Sequence, residues 1–558
     1  MISFKTQLLF VFLFQFVYGV SFSQTKAPTF TREDSLRGGN GNGRMLWNVL
    51  HYDLRIKPDL KKKSIKGTIN ITFRDSGAHI IQLDLQKPMC IERVYLQNKS
   101  CKFKRDGNVY WVKLPKNTFT KPENKIITVR FSGTPKEAKR APWDGGWVWK
   151  TDQHGNPFVS VACQGLGSSS WFPCKDIQSD EPDFGCSMEI EVPDSLTAVS
   201  NGKMTKTIEN SKQKTRSFFW ETNSPINNYN IVPYIGKYKL IEDQFQGLDG
   251  LLSIRYWVLQ HHVEKARSHF ADVKKMLTAF EHYFGAFPFY ADGYQLVEAP
   301  YLGMEHQSAI AYGNEYKFGY LGTDRSGTGL GLDWDFIVVH ESGHEWFGNS
   351  ITAHDMADNW IHESFTTYAE ALYIEYYQGK NAATQYLDGL KIGIDNDESL
   401  QTYQGVNREP TSDIYSKGAN VIHTLRKWIN DDKIFFDGIR EMNKRYRHKI
   451  VTSSEIEKFW QEWTRLPLNF FFNQYLRTNK IPHLNIATVD SEKISLQWDN
   501  VVSGFSMPVD LIINDTVELR VYPTEFQTIV DLKSKNVVAE IRAHPAFLIL
   551  TLPNQAQR

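Results

Sequence analysis

Apolar and polar residues alternate along the first part of the chain, from about residue 44 to residue 240. Within residues 64–73, Ile65, Ile69, Ile71 and Phe73 fall on alternate positions, the period of a strand with one buried face. Asp106-Gly107, between strand-like stretches 101–105 and 109–114, predicts a tight hairpin. Further alternation at 187–192 and 217–221, with no long helical pattern, predicts layered β structure. After Gly250 the period changes. Residues 251–258 still form a strand pattern, but Ala266, Phe270, Val273, Leu277, Phe280 and Phe284 recur at threes and fours. They mark one face of a helix, stopped by Gly285 and Pro288. Helical patterns continue around His340 and Glu363, through 417–429, and around 457–472. Beyond Pro482 strands return at 494–498, 509–513 and 517–522, with Asn514-Asp515 as a hairpin turn. The whole predicts a multidomain α+β chain: a β-rich N-terminal part, a mainly helical middle and a small closing β-sandwich.

Composition narrows the function classes. A chain of 558 residues is too long for one core. Lys plus Arg number 64 and Asp plus Glu 63, a balance that offers no basic field for nucleic acid. Lys5, the apolar run from Leu8 to Val20 and Ser21-Phe22-Ser23 have the layout of a signal peptide over residues 1–23. That run falls short of the ~20 residues that span a bilayer. The expectation is an exported protein, periplasmic or secreted, without stable membrane insertion once the segment is cleaved. The five cysteines are an odd number, so at least one does not pair within the chain. Cys90 and Cys101 are placed to close a small loop, and buried free thiols are the alternative.

The chemistry centres on His340-Glu341-Ser342-Gly343-His344. Histidines four apart lie on one face of a helix, so both imidazoles reach one metal, and the intervening glutamate stands over the metal's water as a general base. Glu363, eighteen residues beyond His344, supplies a third donor. His340, His344 and Glu363 then make a three-ligand zinc site with an open position for water and substrate. Glu370, two turns further along the same helix face, is placed either to orient a ligand histidine or to face solvent.

Several segments together resemble the aminopeptidase N family of gluzincins, which also contains leukotriene-A hydrolases. They are the His340–His344 signature, the gap to Glu363, Trp346-Phe347-Gly348-Asn349, Leu302-Gly303-Met304-Glu305-His306, and Tyr415-Ser416-Lys417-Gly418-Ala419. Gln164 in Ala162-Cys163-Gln164-Gly165, and Trp171-Phe172-Pro173-Cys174, add to the likeness, which runs from about residue 44 to about residue 547. It implies an N-terminal β-sandwich or saddle over 27–248, a thermolysin-like zinc domain over 249–478 and a small β-sandwich over 479–558, without the large helical C-terminal domain of many relatives. It also implies one zinc ion and peptide substrates with a free N-terminus. Glu305 would bind the substrate α-ammonium, with Gln164, Gly303 and Met304 beside it, and Tyr415 would donate to the oxyanion. Leu302 and His306 depart from the family's usual glycine and asparagine, and His306 would add a titratable group near the ammonium. A zinc endopeptidase, a catalytically inactive peptide-binding scaffold and an epoxide hydrolase are the alternatives.

Overall fold

The computed structural model describes residues 28–115, 124–490, 492–515, 517–532 and 540–552. The expected signal segment lies outside the described residues.

Alternation in the first part becomes an eight-stranded sheet. Its central pair, Trp47–Asp59 and Ser64–Asp75, runs antiparallel and is flanked by Cys186–Pro193 and Asn124–Gly133. Ile65, Ile69, Ile71 and Phe73 all face inward and are buried. A three-stranded sheet, Ile80–Asp84 with Val109–Lys113 and Lys102–Asp106, packs nearby in the same core. Its hairpin differs by one residue from the sequence expectation: Asp106 pairs with Val109, so the turn is Gly107-Asn108, with Gly107 at φ 62°. A four-stranded sheet contains Pro157–Ala162, whose end delivers Gln164.

The middle of the chain opens with a mixed five-stranded sheet. The short strand Gly303–Met304 is its edge, paired antiparallel with Ile310–Tyr312. The predicted single helix is two, Val263–His269 and Val273–Phe284, joined by a turn at Phe270–Asp272. The apolar stripe survives this break because Ala266, Phe270, Val273, Leu277, Phe280 and Phe284 are all buried. Gly285 ends the second helix at φ 90°, as its place after the stripe predicts. The helix Phe336–Gly343 packs on this sheet, Trp360–Gln378 packs on that helix and Asp413–Ile429 on Trp360–Gln378, and their cluster is continuous with the closing strands.

Those strands form two sheets, of four and three. Asn514 and Asp515, at φ 48° and 57°, lie where the turn was expected between Val509–Ile513 and Val517–Val521; Ile513 pairs with Val517, so the connection is three residues long. All five cysteines are free, four of them buried and Cys90 exposed. Among the described residues no helix is long and apolar enough to cross a membrane.

Candidate active site

The helix Phe336–Gly343 begins at Asp335, whose carboxylate accepts from Val338 N at 3.1 Å and caps it. His344 follows with helical dihedrals, φ −64° and ψ −20°, so it stays one turn from His340 on the same face. Glu363 sits in the first turn of Trp360–Gln378. Two glycines let the helices meet. A Cβ on Gly343 would stand 3.1 Å from Thr366, and one on Gly418 only 1.9 Å from Ser364 Oγ. The second contact seats Asp413–Ile429, with Tyr415 in its first turn, against the Glu363 helix.

Three donors converge where these helices cross. Glu363 Oε2 lies 3.7 Å from His340 Nε2 and 3.4 Å from His344 Nε2, and it is buried without a hydrogen-bond partner. The far nitrogen of each ring is engaged: His340 Nδ1 with Glu370 Oε1 at 2.7 Å, His344 Nδ1 with the Phe347 carbonyl at 3.0 Å. Tyr386 donates to the other Glu370 oxygen at 2.6 Å. Glu370 is therefore buried and orients His340. With Nδ1 committed, each ring turns Nε2 toward Glu363. Two imidazoles and a carboxylate with one side open to a cleft match the donor preference of catalytic zinc.

Burial and the neighbouring carboxylates set the charge on these groups. Burial opposes the charge on His340, but the neighbouring Glu363 and Glu370 carboxylates outweigh it and carry the imidazole up to about 10. Burial likewise opposes charge on His344, and the Glu363 and Glu305 carboxylates raise it to about 9. Burial pushes Glu341 up to about 7, the two histidines pulling it down and Glu305 pushing it up. Tyr415 stays a protonated phenol because burial, then the Glu363, Glu305 and Glu341 charges, disfavour its anion. Its ring is stacked 6.0 Å from that of His340.

Beside this cluster runs a cleft of about 760 Å³, lined by the three donors together with Glu341, Tyr415, Glu305, Gln164, Gly303 and Met304. Glu305 is 3% exposed, and desolvation raises its carboxyl. Its donors are neutral: Gln164 Nε2 at 2.5 Å and the Tyr229 hydroxyl at 3.2 Å. Among the described residues no lysine or arginine pairs with it. Asn349, the last residue of Trp346-Phe347-Gly348-Asn349, donates to the Glu305 carbonyl at 2.8 Å and fixes the strand end. Gly348 makes that turn at φ 128°, where a Cβ would press within 3.2 Å of His344 Nδ1. Gly303 backs Glu341: a Cβ there would meet Glu341 Oε1 and Ile337 at 2.8 Å.

His306 differs from its expectation. The ring is fully buried away from the cleft, bonded through Nδ1 to the Tyr234 hydroxyl at 2.7 Å, and burial lowers it to about 3. It is a neutral packing residue, not a titrating group beside the substrate amine. Leu302, in contrast, does line the cleft. Tyr229, Phe336 and Arg325 also face or serve the site and carry no motif that singles them out; Tyr229 lies 76 residues from the carboxylate it touches.

Comparison with known proteins gives a consistent picture. Residues 269–475 match the model of the peptidase family M1 domain, and residues 48–229 that of the peptidase M1 N-terminal domain. The chain is 21% identical to "Probable aminopeptidase 2" of Sulfurisphaera tokodaii, covering 83% of this chain and 58% of that protein. It is likewise 21% identical to "Aminopeptidase N" of Lactococcus lactis, over 80% and 53%. It is 23% identical to "Leukotriene A-4 hydrolase" of Xenopus laevis, over 74% and 68%. The chain thus spans little more than half the length of the first two. An M1 zinc metallopeptidase from Deinococcus radiodurans, solved with a Tyr-Ser-Ala substrate, shares the fold with a TM-score of 0.64 at 18% identity. That match covers 79% of this chain and 96% of the other.

Proposed function

Because the chain belongs to peptidase family M1, its two matched models together covering well over half of it, we propose that it is a zinc-dependent aminopeptidase. Its substrates are peptides with a free N-terminus, from which it removes the first residue. The observation that carries this reading is Glu305. A buried carboxylate with only neutral donors is costly to ionise, and an incoming cation relieves that cost. The cation that a peptide brings within reach of the His340–His344–Glu363 cluster is its α-ammonium. An internal residue has none.

One ion is proposed, because the second grouping of possible donors, Glu305 with Glu341 and His344, shares a histidine with the first. Bound by His340, His344 and Glu363, zinc supplies a Lewis acid that acidifies water and polarises a carbonyl. Glu341 takes a proton from the attacking water and returns it to the amine nitrogen as the C–N bond breaks. Tyr415 donates to the oxyanion with a phenol that its neighbours keep protonated. Glu305 holds the ammonium, and so sets the scissile carbonyl one residue along. Gln164 and Tyr229 hold Glu305.

Matched peptides with free and acetylated N-termini test this, followed with and without a chelator. The expected result is release of the first residue from free peptides alone, loss on chelation, recovery with zinc and one zinc per chain. Cleavage of the acetylated peptides at comparable rates would assign an endopeptidase instead.

A further inference from the structure

The cleft is lined by the Glu305 carboxylate and, several contacts away, by the Arg325 guanidinium. In order of contact, Glu305 lies beside His344, the ring of His344 is 5.0 Å from that of His340, and His340 stacks at 5.0 Å and 14° on Phe336. Arg325 comes next, its guanidinium 5.1 Å from the Phe336 ring and 5.8 Å from that of Tyr320. Arg325, Tyr320 and Phe336 all line the same cleft as the donors.

Arg325 is both free and held. Among the described residues it has no ion-pair partner, and its own neighbour Asp324 is committed elsewhere. Asp324 Oδ1 accepts from Ser326 N and Ser326 Oγ at 2.9 Å, and Oδ2 accepts from Gly329 N at 2.6 Å. Two glycines lock this loop in place. A Cβ on Gly331 would stand 2.2 Å from Asp324 Oδ1, and one on Gly389 would stand 2.3 Å from the Ser326 carbonyl. The side chain therefore lies over two aromatic faces on a fixed loop, with its N–H donors unspent.

We propose that Arg325 is a carboxylate-binding subsite for the part of the peptide that leaves, selecting substrates with a carboxylate one or two residues beyond the scissile bond. This rests on the aminopeptidase reading above. A chain anchored at Glu305 and crossing the two histidines runs its remaining residues over Phe336 toward the guanidinium. Two ring contacts of about 5 Å place Arg325 within about 10 Å of His340, two to three residues at roughly 3.3–3.6 Å each. The carboxylate is either the C-terminus of a di- or tripeptide or an acidic side chain. Both offer the planar pair of oxygens that a guanidinium binds through two N–H groups.

The test compares kcat/KM for Leu-Ala with Leu-Ala-amide, and for Leu-Asp-amide with Leu-Asn-amide, each pair also with a glycine inserted after the leucine, on the full chain loaded with zinc. The first pair reports a terminal carboxylate and the second a side-chain one. In at least one pair the acid is expected to exceed its neutral partner by roughly tenfold, the order set by one charge-assisted pair at a partly solvated site. That ratio falls as salt is raised and collapses toward one in Arg325→Gln. Ratios near one in both pairs for the unaltered protein, or ratios that survive in Arg325→Gln, overturn the proposal. An aminoacyl-fluorophore with a neutral leaving group separates the two readings. If the unaltered protein cleaves it while both ratios stay near one, the subsite fails and the aminopeptidase stands; if it cleaves no free-amine substrate, the underlying activity fails.

Discussion

His340 and His344 show how much of a metal site is built before the metal arrives. Each ring spends Nδ1 on an acceptor from another turn or helix, so Nε2 has one place left to point. In the metal-free state their levels near 10 and 9 mean that both rings are protonated at pH 7. Zinc takes only the unprotonated nitrogen, so loading releases those protons and the apparent affinity rises with pH until it passes those values. Calorimetric titration of zinc at pH 7, in buffers of different ionisation enthalpy, is expected to show about two protons released per ion. An unperturbed pair of imidazoles would release fewer than one. The donors were legible in the sequence because their spacing is local: four residues on a helix and one more motif a short way on. His306 was legible only as a departure. Its burial against Tyr234, which makes it neutral, depends on a residue 72 positions away.

At the scale of elements, the site depends on how closely three helices cross. Gly418 was recognisable as part of Tyr415-Ser416-Lys417-Gly418-Ala419, but its physical task is visible only in the crossing. Gly418 faces Ser364, and Ser364 Oγ donates to the Ile414 carbonyl at 2.8 Å. In Gly418→Ala the new methyl has no room, so the helices must separate and carry Tyr415 away from Glu363. Thermal or denaturant unfolding is expected to show a loss of about 1–3 kcal/mol, with kcat reduced more than zinc content. An unchanged stability and rate would show that the crossing tolerates the methyl. Strand and helix positions followed from periodicity because each element buries one face. The errors fell at joints: one residue at the Gly107-Asn108 turn, and the break at Phe270–Asp272, where the apolar stripe continues although the helix does not.

At the scale of the molecule, the proposed zinc donors and the proposed amine-binding group have different supports. The metal donors come from two helices of the middle region. The donors that hold Glu305 come from the β-rich part: Gln164 just after Pro157–Ala162, and Tyr229 in the turn Asn228–Asn230. Gln164→Ala is expected to raise KM for free-amine peptides several-fold while zinc content stays at one; steady-state kinetics and metal analysis on one preparation decide it. An unchanged KM would place the amine elsewhere. These contacts join residues 141 and 76 positions apart, and so they were the least legible part of the site. Arg325 was hidden for another reason: it stands near Phe336 in sequence but in no motif, and only the loop between them brings its guanidinium onto the ring.

The two hydrogen bonds that reach across to Glu305 have a consequence for how such a protein changes over generations. In the proposed aminopeptidase the bond-breaking apparatus would be one inheritable cassette, whereas counting a single residue from the end of a chain would be a matter of alignment between two parts. Drift of either part by a fraction of a hydrogen-bond length would blunt the count and leave the blade intact. A lineage could therefore exchange a trimming enzyme for a less discriminating one without altering a single metal donor.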